Sequence, residues 1–237
     1  MNDYDLTPTM APYLDAHLMF SLLDSLRELK IYDKTEITRE KIKVVSRTNM
    51  VELAIELMDE VEALPGDAEK RAALQARAIN IHKELDTEPF EVTKVRTFFA
   101  DSEKIAELKQ SQNLTLEYLA ANHNITANDL NAYFRRGKFE FECGQYNQAA
   151  TMLNEYISVP QTSSSVWLAA LWGRLACHML TGRWNETAMD IQTIKDIIDN
   201  RNIAPVDQIR QRAWLLHWAL FVHTNRPDGV DALAGRY

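Results

Sequence analysis

Two short stretches decide how this chain reads: Gly144-Gln145-Tyr146-Asn147-Gln148-Ala149-Ala150 and Gly182-Arg183-Trp184-Asn185-Glu186-Thr187-Ala188, 38 residues apart. Glycine adopts the left-handed conformation at little cost, so Gly144 and Gly182 each read as the end of one helix. Tyr146 and Trp184 then plug the elbow, and Asn147 and Asn185 read as caps of the next helix. Ala150 and Ala188 allow close approach to a partner helix. The match continues downstream, with Leu153 and Tyr156 against Ile191 and Ile194, and upstream, with Tyr133 and Phe134 against Leu171 and Trp172. This is a helical hairpin used twice, near the tetratricopeptide period of roughly 34 residues. A third first helix is expected from about Val206 to His223. Its run of Trp214, Leu215, Leu216, Trp218, Leu220 and Phe221 is apolar on more than one face, which predicts burial on both sides.

Helical periodicity extends outward from these repeats. Pro12 suits a first helical position, and Leu14, Leu18, Leu22, Leu26 and Leu29 form an apolar stripe ending near Tyr32. A helix from Glu36 to Arg47 is expected with Thr35 as its cap, and another after Asn49, with Glu52 completing a capping box. Met50, Leu53, Ala54, Leu57, Met58 and Val61 supply its buried face. Pro65-Gly66-Asp67 ends it, with Asp67 capping a long helix from Ala68 to Leu85. Helices at Phe90–Phe99 and Ser102–Gln110 follow, then a segment around Tyr118. Thr126 and Asp129 form a capping box for a helix running to Cys143. The composition changes near residue 112, which divides an N-terminal helical region, 1–112, from tetratricopeptide-like repeats over 113–237. The expected fold is all-α, a right-handed superhelical stack of helical hairpins.

Composition agrees. The 237 residues are 46% hydrophobic, enough for a core, and include only seven Gly and seven Pro, too few for an all-β fold. A net charge of -8 disfavours generic nucleic-acid binding. Two cysteines, Cys143 and Cys177, make no disulfide framework and fit a reducing compartment. The N-terminus lacks the basic and apolar regions of a secretory signal, so the sequons at Asn113, Asn124 and Asn185 are not expected to carry glycans. No apolar run approaches the roughly 20 residues of a membrane span.

Catalytic motifs are missing: there is no phosphate loop, no His-Glu-x-x-His, no Cys-x-x-Cys and no nucleophile elbow. His217 lies among Trp214, Trp218 and Leu220 and reads as a packed histidine, and both cysteines read as small buried residues. No enzyme, cofactor or metal site is therefore expected. Arg39, Lys43 and Arg47, with Lys41 nearby, form a basic face on the second helix; it is either solvated or a contact for RNA or an acidic partner. Arg135, Arg136 and Lys138 pose the same choice.

Longer stretches of rare residues carry a resemblance. They include Tyr4-Asp5-Leu6-Thr7, Leu14-Asp15-Ala16-His17-Leu18, Ile31-Tyr32 and Thr48-Asn49-Met50-Val51. More specific are Phe141-Glu142-Cys143-Gly144-Gln145-Tyr146 and Leu171-Trp172-Gly173-Arg174-Leu175-Ala176. The last is Gln211-Arg212-Ala213-Trp214-Leu215-Leu216-His217-Trp218-Ala219-Leu220-Phe221. Over essentially its whole length the chain resembles the e-subunit family of eukaryotic translation initiation factor three.

The resemblance implies a non-enzymatic scaffold, similar to proteasome-lid and signalosome subunits, with helical repeats followed by a winged helix of the PCI type. It implies contacts with the c, d and l subunits, with initiation factor four G and with the small ribosomal subunit during messenger RNA recruitment. A cytoplasmic location follows, with a nuclear pool left open. The family's winged helix and bundle helix are expected to lie outside these 237 residues, so the chain reads as a fragment or a shortened variant. The apolar residues Trp214, Trp218 and Phe221 are then expected to form a surface completed by another segment or protein.

Overall fold

Asp15 opens the first helix with its side chain, accepting hydrogen bonds from the His17 and Leu18 backbone N–H groups at 3.0 and 3.1 Å. This computed structural model describes residues 14–30, 32–160, 165–200 and 204–226. It contains twelve helices and, among the described residues, no strand. The start at Pro12 and the tail 228–237 lie outside the described residues. Two compact units are present: Met1–Pro89 with Glu142–Gln145, and Phe90–Phe141 with Tyr146–Tyr237. The compositional change at residue 112 falls inside the second unit.

In the first unit α1 (Ala16–Glu28), α2 (Lys34–Val45), α3 (Val51–Asp59) and α4 (Asp67–Asp86) each pack on the next in sequence. The leucine ladder of α1 is not its buried line. His17, Leu18, Met19 and Leu23 are buried, whereas Leu22 and Leu29 are 37% and 66% exposed. With 3.6 residues per turn, each step of four rotates the line by about 40°, so an i, i+4, i+8 row leaves the core within three steps.

Three expected caps are corrected. Asp33, not Thr35, caps α2, accepting from Thr35 N–H at 2.8 Å and Glu36 N–H at 3.3 Å. Those backbone bonds hold its carboxyl below the usual value. Asn49 does not cap α3; the cap position is Met50, and the Thr48 hydroxyl accepts from Met50 N–H at 3.1 Å. The reason is tertiary: the Arg77 guanidinium binds Ser46 O at 2.8 Å, Thr48 O at 2.9 Å and the Asn49 side chain at 3.4 Å. Asp67 is the first residue of α4 rather than its cap, which is Gly66 at φ +89°. Its carboxylate reaches back to Leu64 N–H at 2.8 Å. The long charged helix does exist, and only Leu74 is buried along it.

The second unit holds α5 (Phe90–Phe99), α6 (Ser102–Gln110), α7 (Leu116–His123) and α8 (Ala127–Glu142), then α9 (Tyr146–Ser158), α10 (Ser165–Leu180), α11 (Trp184–Asn200) and α12 (Pro205–Thr224). Thr126 and Asp129 make the expected capping box. Asp129 accepts from Thr126 N–H at 2.7 Å, and Thr126 Oγ1 accepts from Asp129 N–H at 3.4 Å. The pairs α8–α9 and α10–α11 start and stop 38 residues apart: Ala127 and Ser165, Glu142 and Leu180, Tyr146 and Trp184. Small residues let α9 sit close to both neighbours. Gly137 of α8 faces Met152 and Leu153, and a Cβ on Gly173 of α10 would lie 3.0 Å from Leu153. Tyr133, Leu130, Ala149, Leu153, Tyr156 and Cys177 share one core. The architecture is therefore an all-α stack of helical repeats.

Candidate functional site

No catalytic chemistry assembles on this scaffold. Among the described residues no group of three His, Cys, Asp or Glu could hold a metal ion, and no helix is long and apolar enough to cross a membrane. Cys177 is fully buried, and burial pushes its thiol up to about 12, which suits packing and not nucleophilic attack. His217 stands edge-on to Trp214 and Phe221, with ring centroids 6.0 and 5.6 Å away. The surfaces and turns are what the site residues build.

Gly144 and Gly182 lie just beyond helix ends with φ of +81° and +70°. Gly182 N–H donates to Met179 O at 3.1 Å and Arg183 N–H to His178 O at 2.8 Å, closing α10. Tyr146 and Trp184 begin the following helices. Asn147 and Asn185 therefore fall inside the first turn and are not caps, which corrects the reading of the motif. The physical reason is the tight glycine turn, which leaves one fewer connecting residue than a side-chain cap requires. Asn147 instead links the repeats: its Oδ1 accepts from Arg183 Nη2 at 2.8 Å.

A second link was not legible in the motif. Asp190 of α11 is buried and holds two groups of α10, Arg174 Nη2 at 2.5 Å and His178 Nδ1 at 2.8 Å. Arg174 Nη1 continues to Asn154 Oδ1 of α9 at 2.8 Å. Three consecutive helices are thus tied by one buried carboxylate. A lone Asp in an amphipathic helix gives no warning of this, because its partners come from other helices.

Helix α12 presents a surface. Leu215, Trp218, Ala219 and Val222 are buried, a single i, i+3, i+4, i+7 stripe. The expectation of burial on both sides is corrected, since Val206, Ile209, Trp214, Leu216 and Leu220 stay exposed. Trp214 is 44% exposed and Phe221 partly so, but Trp218 is only 8% exposed and belongs to the core side. The exposed residues 206, 209, 213, 216 and 220 alternate steps of three and four, the spacing of a seam that accepts another helix.

The basic face of α2 is thinner than its sequence suggests. Arg39 donates to Glu62 O at 2.9 Å and Lys43 pairs with Glu40 at 2.5 Å, while Arg47 is exposed. Lys41 is buried, paired with Asp24 and seated 4.4 Å from the Phe20 ring centre. Arg39 and Lys43 border a groove of about 1060 Å³ whose floor includes Leu23, Ile37, Met58 and Leu74. Its rim charges are largely internally paired, as Lys43–Glu40 and Lys70–Asp67.

Comparison with known proteins gives this scaffold a context. Residues 5–140 match the family described as eIF3 subunit 6 N terminal domain. The chain is 34% identical over 242 aligned positions to the e-subunit of eukaryotic translation initiation factor 3 from Brugia malayi, covering all of this chain and 53% of that protein. It is 34% identical to the e-subunit from Monosiga brevicollis, over 98% of this chain and 47% of that protein. For the Arabidopsis thaliana protein the identity is 30%, with 96% and 51% covered. The chain spans about half the length of the curated relatives it matches. The family's N-terminal domain is matched over more than half of the chain, and the similarity to these relatives runs end to end, so this helical stack belongs to the e-subunit family of eukaryotic translation initiation factor 3.

Proposed function

We propose that this chain is a non-catalytic scaffold part of translation initiation factor three. It supports assembly of the complex and, through protein–protein contacts, messenger RNA recruitment to the small ribosomal subunit. The observation that carries the reading is similarity along the whole chain to proteins named as the e-subunit of that factor. The exposed apolar seam of α12 adds a surface suited to another protein helix. Its partners are the c, d and l subunits, the small ribosomal subunit and initiation factor four G, in the cytoplasm.

Affinity purification of the tagged chain, with mass spectrometry of what co-purifies, tests this. Initiation factor subunits are expected. A Leu216→Glu, Leu220→Glu double variant should lose them while keeping its helical content. Recovery of proteasome-lid or signalosome subunits without initiation factor subunits overturns the assignment in favour of an equivalent PCI-type scaffold.

A further inference from the structure

A smaller pocket in the second unit, of about 240 Å³, lies where α5 and α6 meet the end of α7. Three nitrogen bases converge on it. Lys94 Nζ donates to Asn124 O at 2.6 Å and to Asp129 Oδ2 at 2.8 Å, which leaves one of its three ammonium hydrogens for the pocket. Lys104 Nζ sits 5.6 Å from the Phe98 ring centre, and among the described residues no carboxylate ion-pairs with it. His123 packs its ring on Phe98, centroids 4.8 Å apart, and on Tyr118 at 5.9 Å. Its Nε2 is sealed from solvent and has no hydrogen-bond partner. One carboxylate on the wall, Asp101, opposes an anion, but its Oδ1 already accepts from Lys104 N–H at 3.1 Å. The other nearby carboxylate, Asp129, is engaged by Lys94 and Thr126.

A buried ring nitrogen left unpaired beside an ammonium without a counter-ion is an unmet polar demand. We propose that this pocket binds a phosphate-class oxyanion, held by Lys104, the remaining N–H of Lys94 and a protonated His123 Nε2. Burial first, and Lys104 second, keep the empty His123 below its ordinary pKa. An anion between the two reverses the sign of that local field, so binding takes up one proton from solvent onto Nε2. A phosphate or phosphomonoester dianion suits three converging donors, and the Thr97 hydroxyl stands on the same wall.

The test is histidine-ring NMR on the whole 237-residue chain, titrated with inorganic phosphate against chloride at equal ionic strength. Saturable movement of the His123 resonances is expected, with its titration midpoint rising by about one pH unit. Lys104→Met, which keeps the stem over Phe98, should weaken phosphate binding by about tenfold, and Lys70→Met, outside the pocket, should not. Tighter binding of O-phosphoserine than of inorganic phosphate assigns the site to a phosphoryl group on a side chain; the reverse assigns it to the free ion. Equal response to chloride, or a His123 midpoint that phosphate leaves unmoved, overturns the proposal and leaves water as the partner of Nε2. The wild-type titration stands on its own if the Lys104 variant does not fold.

Discussion

The two turn glycines have the same φ sign but different surroundings. A Cβ on Gly182 would meet nothing within 4 Å, whereas one on Gly144 would lie 2.9 Å from Met50 Sδ. Gly182→Ala should therefore cost about 1 kcal/mol, the strain of a left-handed alanine alone. Gly144→Ala should cost more, because Met50 must also move, and denaturant unfolding of both variants would measure the gap. Equal costs would mean that Met50 yields freely. Cys177 offers a chemical test at the same scale. With its thiol held at about 12, it should resist Ellman's reagent near pH 8 in the native chain and react only after unfolding. Peptide mapping of the labelled site distinguishes it from Cys143. Legibility at this scale was uneven. The glycines declared their turns because only one residue type takes that conformation cheaply. Lys41 did not declare its burial, because its ion pair with Asp24 spans two helices.

Single elements are held at their ends and across their neighbours by polar groups. Burial alone would raise the Asp129 carboxyl, but hydrogen bonds from Lys94 and from the Thr126 backbone and hydroxyl outweigh it, and the net shift is downward. A carboxyl depressed in the folded state binds fewer protons there than in the unfolded chain. Its stabilisation is present above the unfolded value and lost as pH falls through the folded one. Asp129→Asn should thus cost about 1 kcal/mol at neutral pH and flatten the acid limb of the stability profile. An unchanged acid limb would remove Asp129 from the argument. Asp190→Asn should cost about 3 kcal/mol, since it strands Arg174 and His178 beside a site built for a buried carboxylate. If that variant unfolds with wild-type midpoint and slope, the buried link between α9, α10 and α11 carries no net stability. The capping box was readable because its partners lie three residues apart; the Asp190 link was not, because its partners lie 12 and 16 residues away.

Across the whole molecule, the second unit's last described helix leaves one apolar stripe exposed while burying the opposite one. The chain on its own should therefore bind a hydrophobic dye, and Leu216→Ser with Leu220→Ser should cut the fluorescence without loss of helix signal. Dye binding that survives both substitutions would place the exposed surface elsewhere. Sequence by itself determined the all-helical class, the hairpin period and the glycine turns, since each depends on local conformational preference within one or two turns of chain. Only the tertiary structure decided which line of α1 is buried and that Asp33 rather than Thr35 caps α2. It also decided that Lys41 and Asp190 go inside and that α12 keeps one face bare. Those outcomes depend on side chains brought together from distant segments, and an apolar or charged residue carries no local mark of the neighbour it will meet.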